Sequence, residues 1–302
     1  MDYLIYAFNI LLLLFWVRLW SAPEKEFYFN PFISGTVKFT DSALAFLRPV
    51  LCLPEQAACA VVLVFLLLFK TLLFSRLGVT WHLSLGTYFQ FAPLAAADHR
   101  AASALLFSVL HVALFFVRLW TLLVLVRLIT PAFRVTRASE ALAFFARPFS
   151  LLPPLAQPFA LLLLHGLLAF ACTRTGTLSI LGQPLEAQLP EAASPFLGGP
   201  LYWQLLKTGW LAVLSCADGL MFLTRGLFIL IVGNLVAALL QVRGAMIICS
   251  EGADLLLGRF ARRNTAGAGF DFAPLIFFFV VNVMYGGICR SLLELIQSPF
   301  FN

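Results

Sequence analysis

His111 and His165 each stand alone in a long apolar run, at similar depth in the third and fourth runs of the chain. Opposed imidazoles on two helices can hold a haem iron. A lone histidine in a helix is more often hydrogen-bonded within a bundle. The expectation is therefore no cofactor and no metal, with His111 and His165 the residues that would carry a haem if one were bound. The six cysteines, Cys52, Cys59, Cys172, Cys216, Cys249 and Cys289, form neither C-x-x-C nor C-x-x-C-H. That argues against a thiol redox centre, a zinc knuckle or covalently attached haem, and they read as small apolar residues. G-x-x-x-x-G-K-[ST], H-E-x-x-H and G-x-S-x-G are all absent, and Gly198-Gly199 reads as a turn. Enzyme activity is not expected.

The remaining chemistry is charge in apolar surroundings. Arg18, Arg118 and Arg225 occupy equivalent places in three apolar runs. A charge at the centre of a span costs about 2.5–3.5 kcal/mol on insertion scales. Arg18, near a run's end, is expected to snorkel to lipid phosphate. Arg118 is followed by largely apolar sequence and should sit deeper. Arg225, near the middle of the fifth run, needs a partner, with Asp218 and Asp271 as candidates. Asp271 stands three residues before Pro274, as a first-turn acid or N-cap with proline just inside the helix. It can also pair with Arg262 or Arg263.

These residues are carried by a chain that is 62% hydrophobic and only 11% charged over 302 residues, with mean hydropathy +0.96. Soluble domains carry about 25% charged residues, so the composition is that of an integral membrane protein. The net charge of +6 suggests basic loops at an anionic leaflet rather than nucleic acid. Helices about 20 apolar residues long cross the hydrocarbon. Six such spans are read at 3–20, 57–75, 103–129, 156–173, 209–240 and 273–296. The fifth can contain two elements, since Asp218, Gly219 and Arg225 interrupt it.

Basic residues set the orientation. Of the 20 Lys and Arg, 13 fall on the first, third and fifth connectors and their helix ends: Arg18, Lys25, Lys38, Arg48, Arg118, Arg127, Arg134, Arg137, Arg147, Arg243, Arg259, Arg262 and Arg263. Five fall on the other side, Arg76, Arg100, Arg174, Lys207 and Arg290, while Lys70 and Arg225 lie within spans. The odd connectors are predicted to be cytoplasmic and both termini to face out. Asp2 before the first run and Arg18 after it fit a retained N-out span rather than a signal peptide.

The chain also repeats itself. "FWVRLW" at 15–20 recurs as "FFVRLW" at 115–120, and "ALAF" at 43–46 recurs at 141–144. Asn30-Pro31 matches Thr130-Pro131, and Arg48-Pro49 matches Arg147-Pro148. A looser third copy has "FLTRGL" at 222–227 and "SEGADLLLGRF" at 250–260. The predicted fold is an all-α membrane protein of about six transmembrane helices in three span–interfacial helix–span repeats. The units are 1–78, 101–175 and 201–302, joined by outward linkers at 79–100 and 176–200.

In the first two connectors a cap and a proline at the first helical position, Asn30-Pro31 and Thr130-Pro131, begin an amphipathic helix. From Pro31 onward, Ile33, Val37, Leu44, Leu47 and Leu51 share one face; Ser34, Lys38, Asp41 and Arg48 share another. The helix is expected to lie in the cytoplasmic interface, or to pack its apolar face on the bundle. Pro49 and Pro148 should end the helices before them. The outward stretches "VTWHLSLGTYFQFA" (79–92) and "GTLSILGQPLEAQL" (176–189) read as two short β-hairpins, which can pair with each other.

Two stretches resemble the YggT family of small bacterial membrane proteins, which has related proteins in plastids. One is "RLW…FYFNPFISGTVKFT…LRP" with "LLLFKTLLF"; the other is "GRFARRNTAGAGFDFAPLIFFFVVNV", where 269–274 is similar to the family's Gly-Ile-Asp-x-Ser-Pro start of a span. Members commonly carry two span–connector–span units; this chain carries a third, middle one. The resemblance implies a non-catalytic scaffold or assembly factor for membrane complexes or the cell envelope, in the bacterial inner membrane. Its implied surroundings are the lipid bilayer and a membrane-protein partner or a second copy, with no nucleic acid. A component of an ion or osmolyte transport system is the alternative. Arg18, Asn30, Pro31, Arg48, Arg118, Arg147, Arg225, Arg262, Arg263, Asp271 and Pro274 are the structural or interfacial candidates.

Overall fold

The structure is a computed structural model that describes residues 2–21, 29–51, 53–77, 83–84, 89–93, 100–129, 136–180, 200–257 and 273–296. Its helices are α1 (Asp2–Ser21), α2 (Pro31–Leu51), α3 (Glu55–Leu77), α4 (Arg100–Ile129), α5 (Arg137–Phe145), α6 (Ala156–Thr175), α7 (Leu201–Leu239), α8 (Arg243–Leu257) and α9 (Ala273–Ile296). All six apolar runs are helical. Among the described residues, Glu55–Leu73, Ala104–Leu128 and Leu201–Leu239 are long and apolar enough to cross a membrane, and Ala7–Ser21, Ala156–Cys172 and Ile276–Ile288 are shorter apolar helices.

The fifth run is one continuous helix of 39 residues, starting at Leu201 rather than near 209. Asp218 and Gly219 do not break it. A glycine inside a helix costs only about 1 kcal/mol against alanine. Here it also lets α4 approach: a Cβ on Gly219 would collide with the Thr121 side chain.

The two stretches read as hairpins contribute three short strands, β1 (Leu83–Ser84), β2 (Phe89–Pro93) and β3 (Gly176–Ile180). β1 and β2 run antiparallel with Leu83 opposite Phe91, and β2 pairs antiparallel with β3 from Phe89 opposite Ile180 to Pro93 opposite Gly176. The order is β1-β2-β3, so one small sheet joins the two stretches. A three-stranded sheet closes ladder bonds that an isolated hairpin holds only marginally in water. The rest of the second stretch, 181–189, lies outside the described residues.

The chain divides into two compact units, each gathered from separate stretches. One is Met1–Leu72, Val126–Leu152 and Arg225–Pro274; the other is Leu73–Leu125, Pro153–Thr224 and Leu275–Asn302. The first unit contains all three connector helices, and they pack on one another: α2 touches α5 and α8, and α5 touches α8.

α2 starts where its sequence says. Asn30 caps it, its side-chain oxygen accepting from the Phe32 N–H at 3.1 Å, and Pro31 takes the first helical position. Its apolar face packs on protein rather than lipid. Leu44, fully buried, meets Phe15 of α1 and Ala58, Cys59 and Val62 of α3. Ile33 and Val37 meet Val17 of α1 and Phe144 of α5. Lys38 and Asp41 lie on the exposed face. The helix passes Pro49 and ends at Leu51, against the expected stop. So close to the C-terminal end, the missing N–H costs one ladder bond in a helix already held by the packing of Ile33, Val37 and Leu44.

α5 is shorter than its expected counterpart. It starts at Arg137, not beside Thr130-Pro131, which lie outside the described residues. Thr136 is its N-cap, and Ser139 returns the bond in a reciprocal capping box. It ends at Phe145, before Pro148, as expected.

Candidate functional site

The groups with chemistry inside the apolar helices form bonded sets, and each set lies within one unit. In the first unit the centre is Arg18, near the C-terminal end of α1. It was expected to snorkel to lipid phosphate; instead it is only 3% exposed. Its guanidinium bonds the Asp41 carboxylate on α2 at 2.6 Å and the Glu55 carboxylate in the first turn of α3. The protein itself supplies the anions, because α2 folds back over α1 and α3 starts beside it. One buried cation thereby fixes three consecutive helices. Glu55 also suits the positive end of α3.

Two further bonds tie α5 into this group. The Asn30 side-chain N–H donates to the Arg137 carbonyl at 2.8 Å, joining the starts of the two repeated helices. Trp16 Nε1 donates to the Arg147 carbonyl at 2.8 Å. The Arg147 guanidinium lies over the Phe144 ring, 4.7 Å from its centroid. Deeper in α3, Lys70 is fully buried and its Nζ donates to Asn9 Oδ1 of α1 at 3.0 Å.

In the second unit Arg118 of α4 pairs with Asp218 of α7, Nη2 to Oδ2 at 2.8 Å. Tyr285 of α9 donates its hydroxyl to the other oxygen of Asp218 at 3.3 Å. One turn along the same faces, Thr121 and Ser215 bracket His165 of α6. Thr121 Oγ1 lies 3.0 Å from Nε2 and Ser215 Oγ lies 2.8 Å from Nδ1. The Thr121 hydroxyl already donates to the Val117 carbonyl at 2.8 Å. Nε2 must therefore carry the proton and donate to Thr121, and Nδ1 accepts from Ser215. Both ring nitrogens are engaged, and neither presents a lone pair to an iron, so the haem reading does not suit His165. His111 lies elsewhere on α4, half-buried. Among the described residues, no group of three or more His, Cys, Asp or Glu is placed to hold a metal.

Asp218 was a candidate partner for Arg225, seven residues away on the same helix. The structure gives it to Arg118 instead. The close approach at Gly219 brings α4 and α7 together just where the two charges lie. Arg225 is exposed on α7. Pro274 is in the first turn of α9. Arg262, Arg263 and Asp271 lie outside the described residues, and so do the side-chain surroundings of Arg48.

Sequence reasoning missed Asp41, Glu55, Thr121, Ser215 and Tyr285 as partners. A signal for two of them existed. Thr121 stands three residues after Arg118, and Ser215 three before Asp218, so each polar pair shares a helix face. Hydroxyls in apolar helices commonly hydrogen-bond across to a neighbouring helix.

No family model, no curated protein and no solved structure matches the chain.

Proposed function

We propose that the chain is a non-catalytic integral membrane protein of the YggT type, a scaffold or assembly factor for membrane protein complexes or the cell envelope. It is multi-pass in the bacterial inner membrane. Its six apolar helices span in three span–connector–span repeats, with connectors cytoplasmic and both termini outside. What carries this reading is how the intramembrane charges are used. Arg18, Lys70, Arg118, Asp218 and His165 each bond a neighbouring helix. Groups lining an aqueous path would face water instead. Here each helps fix one helix against another, and in the first unit the three connector helices pack on one another.

Transport is the second reading. It is favoured by the convergence of polar groups from α4, α6, α7 and α9 in one unit, since charges inside spans mark ion pathways in transporters. Reconstitution separates the two. The scaffold reading predicts proteoliposomes no leakier to protons, K⁺ or small osmolytes than empty ones, and a defined membrane protein retained on mild-detergent purification. Reproducible flux lost in Asp218→Asn, with no retained partner, would replace it by transport.

A further inference from the structure

α9 carries an amide in the middle of its apolar stretch. That stretch runs from Ile276 to Ile288, and Asn282 stands at its midpoint, about 9 Å from either end. The whole helix, Ala273–Ile296, has 24 residues and is about 36 Å long, against a hydrocarbon core of about 30 Å. A spanning α9 therefore holds Asn282 close to the middle of the bilayer.

The helix buries its other side. Phe277, Val281 and Tyr285 recur at helical spacing and are packed, and the Tyr285 hydroxyl holds Asp218 of α7. Asn282 lies off that stripe and is exposed, beside Phe279 and Val283 at 71% and 58% exposed. One N–H of its amide donates to the Phe278 carbonyl, one turn back, at 2.8 Å. The second N–H and Oδ1 have no partner among the described residues. This separates the face from one that lipid alone covers. Acyl chains cover Phe279 and Val283 as well as protein does, but they offer an amide neither donor nor acceptor, and an unmet polar group in hydrocarbon is costly. Polar side chains inside spans accordingly turn toward protein.

Two glycines on this side point the same way. Gly286 follows Asn282 by one turn, and Gly287 follows Val283 by one turn. Glycine weakens a helix relative to alanine. Here the chain's own packing makes no use of their smallness, since a Cβ on either would meet nothing within 4 Å. Small residues let the backbone of another helix come close, and an asparagine beside them bonds across the gap.

A second copy is the occupant that these groups select. An amide both donates and accepts, so it is its own complement. Two copies inserted with the same topology are related by an axis along the membrane normal, so their α9 helices run parallel and the two Asn282 side chains meet at one depth. Each amide then donates its second N–H to the oxygen of the other. We infer that the face of α9 bearing Phe279, Asn282, Val283 and Gly286 is the contact between two copies of this chain, closed in mid-membrane by a reciprocal Asn282 pair.

This rests on the membrane-spanning reading, and the test keeps the two apart. In a full-length chain whose native cysteines are replaced, Phe279→Cys and Val283→Cys are oxidised with copper phenanthroline in native membranes. Met284→Cys and Ile288→Cys, also exposed but turned away from the face, are the controls. The contact predicts a disulfide-linked band of twice the mass at 279 and 283, and little at 284 and 288. Asn282→Leu should lower the link through Val283→Cys by roughly five- to thirtyfold, the worth of one interhelical amide bond in model peptides. Gly286→Ile should also abolish it, by blocking the approach. Neither change touches the packed side of α9, so the folded yield of both variants should match the parent. Equal linking at all four positions overturns the contact, as does an unchanged link in Asn282→Leu. So does the absence of a link at 279 and 283 in a chain that resists alkaline extraction. A band with a different protein in place of the dimer overturns it in favour of that protein. Removal of the chain by alkaline extraction overturns the spanning reading itself.

Discussion

Arg118→Met destabilises the protein by about 3–5 kcal/mol, because it leaves the Asp218 carboxylate without its cation inside an apolar bundle. That is a large share of the 5–15 kcal/mol that holds a typical domain together. Asp218→Leu does comparable damage by taking the Asp218 carboxylate away from Arg118. The double variant Arg118→Met, Asp218→Leu removes both charges and substitutes apolar groups of similar volume, so it recovers most of the loss. Replacing a buried pair by packed apolar residues is commonly neutral or better. Thermal unfolding of the four purified proteins in one detergent gives the coupling directly. Additive single losses would show that the two side chains, 2.8 Å apart here, do not act as a pair. If the double variant folds and also keeps its retained partner, the pair serves architecture.

Leu44→Asp is the second large effect. Leu44 is fully buried among Phe15, Ala58, Cys59 and Val62, where α1, α2 and α3 meet. Truncation to alanine costs about 2–5 kcal/mol, and a carboxylate there adds the cost of burying a charge close to the Asp41 and Glu55 carboxylates that already hold Arg18. Folded protein should fall to a small fraction of wild type. Lys38→Gln, on the exposed face of the same helix, should change stability by no more than about 0.5 kcal/mol. Monodisperse yield after size-exclusion chromatography reads both. Normal yield of Leu44→Asp with loss of partner binding in Lys38→Gln would mean that the connector is a charged recognition surface. Its apolar face would then not be the anchor.

The contrast between Leu44 and Lys38 also shows what the sequence made legible. Helical spacing put Ile33, Val37 and Leu44 on one face and Lys38 and Asp41 on another, and that division is the one observed. Asn30-Pro31 announced the start of α2, because capping is local chemistry: an oxygen two residues before the N–H that it satisfies. What covered the face was not legible. Lipid and protein are equally apolar, so periodicity cannot separate them, and only the fold shows Phe144 and Ala58 there.

Charge partners failed for the same reason. Arg18 was matched with phosphate because its anions, Asp41 and Glu55, are 23 and 37 residues away and meet it only when α2 folds back. Asp218 was offered to Arg225 on its own helix, yet its partner is Arg118, a hundred residues distant in sequence. The stop at Pro49 erred differently. A local preference of one residue was outweighed by the packing of a whole helix.

The central claim is that the three repeated connectors were kept because they fold together into one cytoplasmic layer. Cysteine accessibility at one exposed position on each tests it most directly: Lys38→Cys on α2, Glu140→Cys on α5 and Ser250→Cys on α8, all exposed, in a cysteine-free background in intact cells. All three should resist a membrane-impermeant maleimide added outside and react fully once the cells are opened. Labelling of any one of the three in intact cells would put that connector on the opposite side of the membrane and contradict the account.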